Sequence, residues 1–134
     1  MAEETVVKET LTKEMIEAGA DLTRSLDLAQ VPVSASFWLY LSESNVWRLV
    51  IASPEVGTSG SRDVYQKVQA IISRLPQDRR HIELRDISVA EKDSLLIELL
   101  RKAIRTGSGI AGIRFSRNTI DGHYVEDTYI YRVT

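Results

Sequence analysis

Apolar residues recur along the chain with two different periods. Over residues 11–29 they are spaced three or four apart, which predicts an amphipathic helix that begins after Thr12. Over residues 33–41, valine, alanine, phenylalanine and leucine then alternate with two serines, Trp38 and Tyr40, the period of two that is expected of a strand. A second apolar run at residues 46–52 follows four turn-forming residues. The two runs therefore predict a β-hairpin.

The middle of the chain predicts a helix, a short strand and a further helix. An apolar stripe over residues 64–75 predicts the first of these helices, and Pro76 ends it. Residues 82–84 predict the short strand. The sequence at residues 88–91 matches a capping box. We therefore expect a long helix to begin there and to end at Gly107, in a left-handed cap.

The chain ends in a second predicted hairpin. Its strands cover residues 110–117 and 124–133, and the Asp-Gly pair at residues 121–122 favours a tight turn between them. The predicted order is α-β-β-α-β-α-β-β. The hairpins favour antiparallel pairing, while the strand-helix-strand segment allows one parallel pair. The predicted fold class is α+β, with three helices and a mixed, mainly antiparallel five-stranded sheet.

Length and composition limit the class of protein. The chain has 134 residues and no cysteine, which fits one domain in a reducing compartment and excludes disulfides and thiolate chemistry. We expect residues 1–9 to form a frayed acidic leader and residues 10–134 to form a single α+β domain. The acidic start lacks the features of a signal peptide, and no apolar run approaches the roughly twenty residues of a membrane-spanning helix. We therefore expect a cytoplasmic protein without a membrane partner.

The net charge of −2 hides an uneven distribution. Residues 62–117 carry 12 basic and 7 acidic side chains, whereas residues 1–61 carry 4 basic and 9 acidic ones. The sequence pI of 5.7 is low for a nucleic-acid-binding domain. Cations near a helix end are also common, so a solvated face is the alternative to a binding surface. The candidates for binding a phosphate or a nucleic acid are four arginines of the basic segment 101–117: Arg101, Arg105, Arg114 and Arg117.

Motifs that would indicate catalysis are few. Residues 107–112 spell G-x-G-x-x-G, but a predicted helix precedes them and a strand follows, the reverse of a dinucleotide-binding fingerprint. A small hydrolase would need His123, Glu126 and Asp127 to converge, although residues three apart on a strand face opposite sides. We assign no catalytic residue, no metal ligand and no cofactor, and an enzyme is not favoured.

The first hairpin carries large apolar side chains on both faces. Pairing of Leu41 with Val46 places Trp38, Tyr40 and Trp47 on one face, which is too apolar to be left in water. Three helices of this length cover one face of such a sheet well. We therefore expect these aromatic residues to form the interface of a two-fold homodimer or of a complex with another protein. The alternative is that the first helix crosses to this face and buries them within the monomer.

Parts of the chain resemble a family of small bacterial proteins of unassigned function. The similarity lies in residues 113–132 (IRFSRNTIDGHYVEDTYIYR) and in the hairpin segments at residues 37–41 and 46–50. It implies a bacterial source and no particular activity. The aromatic face of the first hairpin, and not this resemblance, predicts a non-enzymatic binding or assembly module. A nucleic-acid-associated accessory protein that uses the basic segment 101–117 and a small hydrolase are the alternatives.

Overall fold

The fold is taken from a computed structural model, which describes residues 7–76, 78 and 82–134. Four α-helices and five strands are present in that part of the chain. The helices are α1 (Lys13–Leu28), α2 (Glu55–Ser59), α3 (Ser61–Arg74) and α4 (Leu95–Ala103). The strands are β1 (Ala35–Leu41), β2 (Val46–Ala52), β3 (Ile87–Ala90), β4 (Ile113–Ile120) and β5 (His123–Val133). The short helix α2 is additional to the three predicted helices. Within these residues, no helix is long and apolar enough to span a membrane.

The five strands form one mixed sheet in the order β3-β2-β1-β5-β4. Neighbouring strands are antiparallel except β2 and β3, which pair in parallel with Leu49 opposite Ile87. The predicted α+β class is confirmed, including the single parallel pair. The register of the first hairpin is also the expected one, because Leu41 pairs with Val46.

Helices cover both faces of the sheet. The first face carries Trp38 and Leu49 and is covered by α1 and α3. The second face carries Phe37 and Val50 and is covered by α4. Trp38, Tyr40 and Trp47 share the first face, as the predicted register requires, and Val33, which precedes β1, packs with the same face.

Helix α1 approaches the first face closely at Gly19. A Cβ atom at this position would lie only 2.7 Å from Trp38 Nε1, so the packing requires a glycine. Trp38 Nε1 donates to the Tyr131 hydroxyl at 3.0 Å, and Tyr131 donates in turn to Ile16 O at 2.5 Å. Burial raises the pKa of the Tyr131 hydroxyl well above its ordinary value, so the group stays protonated and remains a donor. These contacts fix α1 across the first face.

A buried arginine connects the C-terminal end of α1 to β5. Arg132 is only 3% exposed, and its two terminal nitrogens donate to the carboxylate oxygens of Asp27 at 2.9 and 2.7 Å. It also donates to Val33 O at 3.2 Å and to Gly109 O at 3.1 Å. A buried guanidinium is tolerated only when its donors have partners. Arg132 therefore positions α1, the segment before β1 and the loop before β4 together.

The third strand lies further along the chain than predicted. Residues 82–84 do not form a strand, and Leu84–Asp86 is a 3₁₀ turn in which Glu83 N donates to Asp86 Oδ2 at 2.9 Å. Strand β3 follows this turn and pairs with the edge of β2. Two apolar residues spaced two apart are too few to locate a strand without knowledge of that edge.

Helix α4 begins later and ends earlier than predicted. The capping-box match at residues 88–91 lies in β3 and at the start of the turn after it, so it caps no helix, and Ser94 is the N-cap residue instead. The helix ends at Ala103, and its C-cap residue Ile104 is extended. Gly107 lies beyond the helix and does not have the positive φ of a left-handed cap. Its predicted role is therefore wrong.

The second hairpin turns at Asp121 and Gly122, as its sequence predicts. These residues have φ values of 48° and 80°, which fit a two-residue turn with both central residues in the left-handed region. Ile120 pairs with His123 directly beside the turn. Strands β4 and β5 therefore extend further toward the turn than the predicted strands, which cover residues 110–117 and 124–133.

We expect Gly122→Val to destabilise the fold by about 1–2 kcal/mol, because a β-branched residue resists positive φ. Thermal unfolding followed by circular dichroism measures this loss. Gly107→Val is the control, since a Cβ atom at Gly107 would meet no other atom within 4 Å. Equal melting temperatures for the two variants would contradict the importance of the turn.

Candidate functional site

The most extensive polar cluster of the first face is built around the carboxylate of Asp127. This side chain is only 5% exposed, and β4 and β5 bring Arg114 and Ser116 to it from the same face of the sheet. Arg114 donates to both carboxylate oxygens at 2.6 Å, through Nε and Nη2. Ser116 Oγ and Lys8 Nζ each donate at 2.7 Å. One carboxylate thus accepts hydrogen bonds from two cations and a hydroxyl.

These hydrogen bonds control the ionisation of the cluster. Burial alone would raise the pKa of Asp127, but the hydrogen bonds from Arg114, Lys8 and Ser116 outweigh burial and hold that pKa well below its ordinary value. The pKa of Arg114 is raised in turn, chiefly by its hydrogen bonds to Asp127. The carboxylate is therefore ionised at neutral pH. Arg114 balances its charge, and the ammonium group of Lys8 adds a second positive charge.

Two aromatic rings complete the surroundings of the Lys8 ammonium group. Its Nζ lies 4.6 Å from the ring centroid of Tyr40 and 5.6 Å from that of Trp47, within the range at which a ring face attracts a cation. Tyr40 and Trp47 are cross-strand partners in the first hairpin, and their ring centroids are 5.3 Å apart. We call Tyr40, Trp47 and Asp127 the ammonium cage.

The backbone on either side of Lys8 is held by side chains of the same hairpin. Asn45 Nδ2 donates to Val7 O at 3.0 Å, and Glu9 N donates to Asn45 Oδ1 at 2.8 Å. Trp47 Nε1 donates to Glu9 O at 2.8 Å. These three hydrogen bonds bind peptide groups, so they do not depend on the identity of the side chains at positions 7 and 9.

The segment that occupies the cage belongs to the predicted leader. Residues 7–9 make the contacts just described, whereas residues 1–6 lie outside the described part of the chain. The position of Lys8 between two aromatic rings and a carboxylate is therefore a structural feature that the prediction of a frayed leader did not include.

The three aromatic residues predicted for an interface do not form an exposed surface. Trp38, Tyr40 and Trp47 are 1%, 8% and 6% exposed. Helix α1 lies over Trp38, and residues 7–9 lie over Tyr40 and Trp47. The chain itself therefore covers these three residues. The homodimer stays a prediction.

The four arginines predicted to bind an anion do not lie on one shared surface. Arg114 lies on the first face and is paired with Asp127. Arg101 belongs to α4, on the opposite face, and donates to two backbone carbonyls at 2.8 and 3.0 Å. Arg105 and Arg117 are exposed. Two of the four arginines, Arg101 and Arg114, thus bond to groups of the chain itself on opposite faces of the sheet. Binding of a nucleic acid stays a prediction.

The residues that a hydrolase would need also lie apart. Asp127 is held beneath Arg114 on the first face, while Glu126 borders a cleft on the other side of β5. His123 is exposed, and its Nδ1 lies 3.1 Å from Asp121 O. Among the described residues, no three histidine, aspartate or glutamate side chains are grouped as metal ligands would be.

A cleft of about 610 Å³ opens where β1 and β5 part. The pairing of these strands ends at Leu39 opposite Thr128, although β1 continues to Leu41 and β5 begins at His123. Tyr124, on the wall of the cleft, is 64% exposed. Four apolar side chains and two carboxylates also line the cleft: Leu39, Leu41, Leu96, Val125, Glu43 and Glu126.

A change of face within the second hairpin explains why the strands part. Arg117 has a φ of 49°, and beyond it the side chains of the hairpin exchange faces. Asp127 faces the first face, yet Val125, two residues away, packs with the second. In a regular strand, residues two apart face the same side. The tip of the hairpin is therefore twisted away from β1.

Sequence reasoning identified Tyr40 and Trp47 but missed Lys8, Asn45 and Asp127 as their partners. Lys8 lies in a segment without a period, and Asn45 reads as an ordinary turn former. The available signal was the polar tip of each ring, because a buried tyrosine hydroxyl or indole N–H needs a partner.

Comparisons of the chain with models of known protein families, with curated proteins and with solved structures found no match. The resemblance to small bacterial proteins therefore stays a prediction.

We expect Asp127→Asn to lower the free energy of unfolding at pH 7 by about 2 kcal/mol, the size of hydrogen bonds to a charged group. The folded pKa of Asp127 is depressed, so its contribution is complete above the ordinary aspartate pKa of about 4 and is lost as the pH falls below it. Urea unfolding between neutral pH and about pH 2 should show a smaller acid-induced loss in the variant than in the wild type.

Asp21→Asn is the matched control for this measurement. Asp21 pairs with Arg24 at 3.0 Å between exposed side chains of α1, and such pairs contribute less than about 1 kcal/mol. If both variants kept the acid dependence of the wild type, the role assigned to the Asp127 cluster would be wrong.

Proposed function

We propose that this protein is a non-enzymatic module that binds an extended, lysine-bearing segment of a partner protein. The observation that carries the proposal is the binding of residues 7–9 to the first hairpin. The side chain of Lys8 occupies the ammonium cage, and Asn45 and Trp47 bind the peptide groups on both sides of it. The chain's own segment thus occupies a site with the contacts of a peptide-recognition site.

The contacts favour exchange of this segment for another. The side chain of Lys8 is 43% exposed, so the cage is open to solvent. Val7 is 78% exposed, which means that the segment is held here by polar contacts more than by apolar burial. Segments with little apolar burial open at low free-energy cost compared with the whole fold.

The cage favours a lysine over an arginine. Arg114 already donates to both oxygens of Asp127, so a second guanidinium finds no free carboxylate edge for a paired contact. The ammonium of a lysine is a compact point charge that needs only one oxygen. Lys8 uses Asp127 Oδ2 in this way, at 2.7 Å.

Residues 7–9, called the cis segment here, compete with a partner for the same site and so set the affinity that a partner must exceed. A segment joined to its site acts at an effective concentration on the order of millimolar. A partner must therefore bind better than residues 7–9, or the cis contacts must be weakened first. Replacement of Lys8 weakens them without altering the cage.

The test uses a fluorescent peptide that copies residues 5–11 and the full-length variant Lys8→Ala. We expect the peptide to bind the variant at least about tenfold more tightly than the wild type, because the cis competitor has lost its ion pair and cation–π contacts. Replacement of the central lysine of the peptide by alanine should abolish binding. Fluorescence anisotropy measures each affinity, and Lys8→Gln repeats the test with a longer side chain.

Lys13→Ala is the control variant. Lys13 is also a lysine near the N-terminus, but its side chain is 84% exposed and its pair with Glu17 is 3.9 Å long. This variant should bind the peptide as weakly as the wild type. Equal binding by Lys8→Ala and Lys13→Ala, or binding of the alanine peptide as tight as that of the lysine peptide, would reject the proposal.

A further inference from the structure

We infer that the partner segment carries basic and apolar residues on the N-terminal side of its lysine, and that these residues occupy the cleft between β1 and β5. The inference rests on the proposed function and names the class of segment that the site selects.

The ammonium cage and the cleft belong to opposite faces of the sheet and meet at the end where β1 and β5 part. Tyr40 belongs to the cage and also borders the cleft, and Glu126 of the cleft is adjacent in sequence to Asp127 of the cage. The carbonyl of Val7 is bound by Asn45, at the end of the β1–β2 turn, and the rest of that turn forms the cleft rim. A segment that leaves the cage in the N-terminal direction therefore starts beside this rim.

The walls of the cleft are suited to apolar side chains. Leu39, Leu41, Leu96 and Val125 line it, and Tyr124 is exposed at its edge. Val125 is buried in the core of the second face and Leu39 and Leu96 pack in part against that core, whereas Leu41 is only half-buried and Tyr124 is exposed. Part of the apolar surface of the cleft therefore stays open to solvent. Its volume of about 610 Å³ lies within the usual range of ligand pockets, roughly 300–1,000 Å³.

The charge of the cleft selects cations. Glu43 and Glu126 line it, no basic side chain does, and neither carboxylate forms an ion pair within the described part of the chain. A lysine or arginine of a bound segment would complement these charges, whereas an acidic residue would be repelled.

The chain's own sequence is a poor match for this cleft. Glu3 and Glu4 precede the segment bound in the cage, and they have the same charge as Glu43 and Glu126. A basic partner segment would complement these carboxylates, whereas the charges of Glu3 and Glu4 have the same sign as theirs. This difference gives the partner an advantage over the cis segment at the shared site.

The experiment compares three peptides on full-length Lys8→Ala. The first copies residues 5–11, the second copies residues 2–11, and the third is the second with leucine in place of Ala2 and lysine in place of Glu3 and Glu4. We expect the third peptide to bind about fivefold more tightly than the second at low salt, from two exposed ion pairs and one apolar contact. Added salt should reduce the difference.

Variants of the cleft test whether its two carboxylates cause the preference for the basic peptide. The double change Glu43→Gln and Glu126→Gln, made in Lys8→Ala, should remove the preference for the basic peptide and leave binding of the short peptide unchanged. Glu14→Gln in the same background is the control, because Glu14 is an exposed residue in the first turn of α1. It should keep the preference.

The outcomes separate this inference from the proposed function. Binding of the short peptide without any preference between the longer two rejects the inference and leaves the function standing. Failure of the short peptide to bind rejects the function itself. A light-scattering mass of twice 15.1 kDa that falls to one chain in Tyr124→Ser would show that a second copy covers the cleft, and would overturn the inference.

Discussion

The pairing of Leu41 with Val46 determines where most other features of the protein lie. This register places Tyr40 opposite Trp47 and assigns the two sets of apolar residues in the hairpin to opposite faces. A slip of one residue would exchange the faces and separate the two rings. Helix α1, the segment at residues 7–9 and the Asp127 cluster all contact the face defined in this way. The two rings of the ammonium cage are therefore placed together by one strand pairing.

The sequence predicted the parts of the fold that depend on local patterns. Helix α1 and the two hairpins have clear periods and turn residues, and each lies close to its predicted position. Strand β3 was misplaced because its position depends on the edge of β2, more than thirty residues earlier. The cage was missed for the same reason, since Lys8 and Asp127 are separated by 119 positions. Only the aromatic pair, which is local to a hairpin, could be found.

Two ion pairs of β5 show how similar chemistry can be structural or accessible. Arg132 is 3% exposed, its partner Asp27 is 39% exposed, and Arg132 also donates to two backbone carbonyls. Asp127 is nearly as buried, and its partner Lys8 is 43% exposed, so the two pairs do not differ in exposure. They differ in their other contacts, because Asp127 would keep a second cation, Arg114, if Lys8 were exchanged. This second cation distinguishes the candidate site from the structural pair.

Occupation of the cage by Lys8 links binding to the state of the N-terminal segment. Under the proposed function, the apparent affinity for a partner is the intrinsic affinity reduced by the fraction of molecules whose cage is vacant. Neutralisation of Lys8 raises that fraction, because the loss of its positive charge removes both the ion pair and the cation–π contacts. Arg114 pairs with Asp127 through its own two hydrogen bonds, so the carboxylate would keep a cationic partner if Lys8 were neutralised. Under the proposed function, the N-terminal segment would therefore regulate binding while Asp127 stays paired.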